Sequence, residues 1–248
     1  METRIDKDLQ FLSGCPNDEL KKLCDIITFD QWGNYRLTEQ LSNTDSYLSC
    51  YPDQMARMVG PLSNELLRYG SNSIICYFRG ETDSYADILW RVCKSMKADT
   101  TKNADVNSQE YALLFKLCHD AISRMSVEEL HELAEIAGIA EKSVNKQLTT
   151  AAILLIIRRN PRIFARVITF IARRIITFLA GRTALKLGTG TLERVLGVVT
   201  GPVGWVALTA WTLWDLSTPA LRVCIPAVFQ IAIMRMENTP KLAYRRAS

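Results

Sequence analysis

Apolar residues recur along most of this chain at spacings of three and four, which is the repeat of one helix face. Leu20, Leu23, Ile26 and Ile27 form such a face. The helix they define starts after Pro16-Asn17, with Asp18 and Glu19 in its first turn, where carboxylates suit the helix dipole. A shorter helix over Ile5–Ser13 stops at Gly14, and further helical stretches are expected within 37–42, 52–59, 62–69, 73–79 and 84–97. Gly60-Pro61 reads as a break or kink, because proline disfavours helical geometry in the residue before it. Residues 99–107 are polar and lack an apolar face. A helix over 108–124 follows, then Ser126-Val-Glu-Glu129 with capping-box spacing and a helix ending near Gly138. No strand alternation and no internal repeat emerge, so the expected fold is all-α.

The pattern changes after residue 144. Asn160 can cap, and Pro161 can occupy the first turn of, a helix running to about Gly181. At 100° per residue, Arg162, Arg166, Thr169, Arg173 and Thr177 fall on one narrow stripe. Phe164, Val167, Ile168, Ile171, Ile175, Phe178 and Leu179 cover the opposite face, and Arg174 lies off the stripe. Val195–Trp214 then runs twenty residues without a charge, which is bilayer length. Gly197, Gly201 and Gly204 leave room for close helix approach, Gly201-Pro202 is a natural bend, and Trp205, Trp211 and Trp214 suit an interface. A last apolar helix, Val223–Met236, contains Pro226 and is flanked by Arg222 and Arg235. The expected organisation is therefore a multi-helix N-terminal module over 1–98, a linker over 99–107 and a helical region over 108–248. That region holds the basic amphipathic helix (161–181) and an apolar helical hairpin (195–236).

Charge sharpens the division. Residues 1–144 carry 15 basic and 23 acidic side chains, and residues 145–248 carry 15 basic and 3 acidic, so the net charges are −8 and +12. No Asp or Glu occurs between Glu141 and Glu193. Such a split suits an anionic partner for the second half, or its neutralisation by the first. Seven cysteines without C-x-x-C spacing argue against both a disulfide framework and a zinc site, which points to a reducing compartment. The N-terminus lacks the apolar core of a signal peptide. The expected location is the cytoplasm, with peripheral attachment to the inner membrane or insertion into it as a further possibility.

Three readings compete for 161–181: a spanning helix, a helix on a membrane surface, and a core helix. Four arginines near a bilayer centre would cost about 10 kcal/mol, which excludes spanning. Near anionic lipid the six arginines 158, 159, 162, 166, 173 and 174 would instead each contribute about 1 kcal/mol. An uncharged Val195–Trp214 stretch interrupted by glycine, proline and threonine is marginal for spanning and fits a buried or a lipid-dipping hairpin. Nucleic acid could use the same arginines, but no zinc finger, helix-turn-helix signature or aromatic platform accompanies them. Catalytic candidates are sparse. Cys118 and His119 are neighbours and point to different helix faces, and His131-Glu132-Leu-Ala-Glu135 lacks the second histidine of a metalloprotease helix. Leu187-Gly-Thr-Gly190 lacks the lysine and third glycine of a phosphate loop. No catalytic, metal or cofactor site is expected.

Several segments resemble the bacterial YaaW-like family. They are Asp8-Leu-Gln-Phe-Leu12 followed by Cys15 and Leu20; Glu65-Leu66 with Gly70 and Ser73-Ile74; Arg79-Gly80 with Tyr85 and Ile88-Leu89; Gly201-Pro-Val-Gly204; and Arg222-Val-Cys-Ile-Pro226-Ala-Val with Gln230-Ile-Ala232. The resemblance implies no catalytic residues. Through some members it extends to the ubiquinol-cytochrome c chaperone group, which would imply assembly work. The expected function is a non-enzymatic protein whose basic, apolar C-terminal half engages an anionic membrane surface, in a setting such as stress response or defence, with a protein partner or self-association as a further possibility. The alternative is a soluble chaperone or assembly factor that keeps the C-terminal hairpin buried.

Overall fold

A computed structural model describes residues 5–30, 33–71, 83–138, 146–179 and 219–238. Every regular element among them is helical. They are α1 (Asn17–Thr28), α2 (Asp45–Cys50), α3 (Val59–Gly70), α4 (Tyr85–Met96), α5 (Val106–Ile122), α6 (Val127–Ala137), α7 (Lys146–Arg159), α8 (Pro161–Leu179) and α9 (Pro219–Asn238). Short 3-10 helices at Lys7–Gly14, Leu41–Asn43 and Met55–Met58 link the early elements, and Phe29 and Tyr35 form one isolated antiparallel bridge. The protein is all-α.

Local sequence explains most helix ends. Ser84 and Asp87 form a reciprocal capping box on α4, and Ser126 and Glu129 form another on α6. Asp105 accepts from Ser108 N at the start of α5. Asn160 Oδ1 accepts from the amides of Arg162 and Ile163, separating α7 from α8. Gly138 ends α6 at φ 72°, the left-handed conformation that glycine adopts without a Cβ penalty.

Several expectations need correction. Gly60-Pro61 does not break a helix; it lies in the first turn of α3, where the amide that proline lacks has no intrahelical partner to lose. The helical stretches expected within 37–42 and 52–59 are short 3-10 helices at Leu41–Asn43 and Met55–Met58, and between them lies the unanticipated α2, which starts where Thr44 accepts from Tyr47 N. The first element is a 3-10 helix, and α7 was not anticipated. The expected helix at 73–79 lies outside the described residues.

The core is one buried cluster reaching from Leu9 to Met234, with α9 at its centre. Val223–Ile225, Ala227–Phe229 and Ile231–Met234 are buried on every side of α9, which packs against α1, α3, α4, α5 and α8. A helix apolar all round is stable in water only when other elements surround it. Gly70 lets α3 approach α4 closely: a Cβ there would stand 2.3 Å from Ile88 Cδ1.

Candidate functional site

The outer side of the α7–α8 corner is the most distinctive surface. Ala151, Leu155, Arg158 and Arg159 of α7 are exposed, and so are Asn160, Arg162, Arg166, Arg173 and Arg174. On the inner side of α8, Phe164, Val167, Ile168, Ile171 and Ile175 are buried against protein. Helix α8 is thus amphipathic as expected, and the described residues of its apolar face belong to the core. Thr177, Phe178 and Leu179 have no described side-chain environment.

The six arginines divide by environment. Arg158, Arg159, Arg162, Arg166 and Arg174 have no carboxylate within ion-pair distance among the described residues. Arg166 stands at the C-terminal end of α6, where a Cβ on Gly138 would meet its Nη1 at 3.7 Å; a cation suits the negative end of that helix. The Arg174 guanidinium lies over the Phe170 ring at 4.2 Å. Arg173 differs from the rest. Its Nη2 is 3.3 Å from Glu19 Oε1 of α1 and donates to both carboxylate oxygens of Glu237 at 3.1 Å, tying α8 to α1 and α9.

Buried polar groups hold α9 in place, and the sequence pattern did not single them out as a unit. Glu110, in the core side of α5, accepts from Tyr85 Oη at 2.7 Å and from Arg235 Nε at 2.8 Å. Arg235 also donates to the Asp8 carbonyl and stacks over Phe11 at 4.1 Å. Burial pushes the Glu110 carboxyl above its ordinary value despite the opposing pull of Arg235 and Tyr85. Burial and the neighbouring Asp6 likewise raise Asp8. Gln230 of α9 donates to Glu19 Oε2 at 2.7 Å. The available signal was positional: Glu110 shares a helical stripe with Leu113, Leu114 and Leu117.

Other candidates fall apart in space. His119 is exposed, with Nδ1 3.4 Å from Asp120 Oδ1, whereas the adjacent Cys118 is fully buried. Cys15, Cys24, Cys50, Cys93, Cys118 and Cys224 are all free and buried. Burial pushes the Cys15 thiol up to about 11 and those of Cys93 and Cys224 up to about 12, so these are inert packing groups. His131 is half-buried on α6. No three metal-ligating side chains cluster among the described residues. None of the described helices is long and apolar enough to cross a membrane. Gly197, Gly201, Pro202, Gly204, Trp205, Trp211, Trp214, Arg79, Gly80 and the Leu187–Gly190 stretch lie outside the described residues. Of the remaining resemblance residues, Arg222 is half-buried, Pro226 sits inside α9 and Gln230 is buried on Glu19.

Comparison with known proteins gives this architecture a family. A UPF0174 protein of Helicobacter pylori strain 26695 is 30% identical over 210 residues, covering 83% of this chain and all of the relative. The chain belongs to the UPF0174 family. A second UPF0174 protein, from Helicobacter pylori strain J99, is 29% identical over 239 residues, 96% of this chain and 94% of its own length. The UPF0174 protein YaaW of Escherichia coli K12 is 28% identical over 235 residues, 93% and 94% of the two chains, in keeping with the YaaW-like resemblance. A family model described as a domain of unknown function, DUF3944, matches residues 4–37. That segment of the UPF0174 fold supplies Asp8 and Glu19, both of which touch α9. No solved structure matches.

Proposed function

We propose that this UPF0174 protein is a non-enzymatic, peripheral membrane-binding protein that meets anionic lipid with the α7–α8 corner. The observation that carries this reading is the placement of five exposed arginines, without carboxylate partners among the described residues, on the outer side of helices whose apolar sides are already used by the core. At about 1 kcal/mol per basic residue near an anionic surface, five arginines contribute up to about 5 kcal/mol, enough for reversible association and sensitive to salt. Stable attachment takes a second signal. The uncharged run Val195–Trp214 is the candidate for it.

Co-sedimentation with vesicles of phosphatidylglycerol and phosphatidylcholine, beside vesicles of phosphatidylcholine alone, tests the proposal. Wild type should pellet with the anionic vesicles only and be released by salt. An Arg158→Glu, Arg162→Glu variant should bind at least about tenfold more weakly with an unchanged melting temperature. Wild type that ignores anionic vesicles, or pellets equally with neutral ones, refutes it.

A second reading, as a soluble chaperone or assembly factor, is favoured by two observations. Within the described part of the C-terminal hairpin, Val223–Met234 of α9 is buried in protein, and the N-terminal region exposes Leu37 and Leu48. Indifference to vesicles combined with suppression of a client's aggregation would favour it over membrane binding.

A further inference from the structure

Helix α6 carries the opposite charge to its neighbours. Glu132 and Glu135 are exposed on it, beside the exposed Ile136, whereas α7 exposes Arg158 and Arg159 beside Leu155. Ile136 and Leu155 are two of the few large apolar side chains that the described surface leaves about half exposed, at 46% and 50%. Helix α6 packs on α7 and α8, and its C-terminal Gly138 lies beside Arg166 of α8. No ion pair joins the Glu132–Glu135 side to Arg158 or Arg159 within the chain among the described residues.

An acidic strip next to a basic strip, each with an apolar residue, is self-complementary under a two-fold axis. Turning a second copy by half a revolution lays its α6 over α7 of the first and its α7 over α6. We infer that this protein forms a two-fold dimer through α6 and α7, with Glu132 and Glu135 of each copy facing Arg158 and Arg159 of the other, and with Ile136 and Leu155 at the centre. Helices of 11 and 14 residues run about 16 and 21 Å. A face of that length sits at the small end of protein interfaces, so the dimer is weak and salt-sensitive. It shares Arg158 and Arg159 with the lipid-facing corner and so covers part of that corner. Dimer and membrane-bound forms then compete for the same guanidinium groups, a consequence that rests on the proposed function, while the dimer itself does not.

Light scattering and sedimentation velocity on the full chain, without lipid, test the dimer up to about 100 µM. Wild type should self-associate at 50 mM salt and weaken at least about tenfold at 500 mM. A Glu132→Lys, Glu135→Lys variant should be monomeric, and so should an Arg158→Glu, Arg159→Glu variant, because each places like charges opposite one another twice per dimer. An equimolar mixture of the two variants should dimerise again, since in the mixed dimer one of the two contact sets is native and the other is restored with reversed sign. Should either variant fail to fold, judged by circular dichroism, the wild-type salt titration carries the test. A wild type that is monomeric throughout, a dimer indifferent to salt or to the reversals, or a mixture that stays monomeric overturns the inference. Vesicle binding by a monomeric wild type would remove the dimer alone and leave the membrane proposal standing.

Discussion

Replacing Arg235 by methionine should destabilise the fold far more than removing a surface charge, because it strands Glu110. The Arg235 side chain is 14% exposed and that of Glu110 4%, and Nε to Oε2 is 2.8 Å. Taking one partner from a buried ion pair costs about 3–5 kcal/mol, since the remaining carboxylate keeps its desolvation penalty and loses its counter-charge. For a chain of this size that amounts to a fall in melting temperature of roughly 6–20 °C. Part of the loss is recoverable at low pH, where Glu110 in the variant takes up a proton instead of staying charged. The double variant Arg235→Met, Glu110→Leu removes both charges and should recover most of the stability, with Tyr85 Oη and the Asp8 carbonyl each losing the partner described above. Urea denaturation of wild type, both single variants and the double variant, followed by circular dichroism, gives the coupling energy directly. A cost below about 1 kcal/mol for Arg235→Met, or a double variant no more stable than the worse single one, would refute the role given to this pair.

Two further outcomes follow from the packing and the charges. Gly70→Ala should lose about 1–3 kcal/mol, because its Cβ would lie 2.3 Å from Ile88 Cδ1 and force α3 from α4; a coupled Ile88→Val change should return part of it, and a neutral Gly70→Ala would show that the helices can part freely. Glu110 gives a pH signature: its native carboxyl titrates above the ordinary 4.5, so its contribution to stability is fully present below 4.5 and is lost as pH rises through the native value. Glu110→Gln should flatten that fall relative to wild type in urea midpoints between pH 4 and about 7, and a variant whose stability falls more steeply than wild type over the same range would contradict the direction.

Much of the fold was legible in the chain because its causes are local. The capping boxes at Ser126 and Glu129, the Asn160 cap and the left-handed Gly138 each act within a single turn, so neighbouring residues suffice to place them. The amphipathic stripe of α8 follows from helical period alone. Period cannot say what covers a face. The sequence left open whether the apolar side of α8 meets lipid or protein, and the structure fills it with core residues from the other helices. It also could not pair Arg235 with Glu110, 125 positions away, or Arg173 with Glu19. An arginine bound to a buried carboxylate and one facing solvent have the same local neighbours, and only the packing of distant helices assigns their different dielectric surroundings. Charge imbalance was therefore a property of the sequence, whereas the division of those arginines into internal ties and a free outer face was decided by tertiary structure.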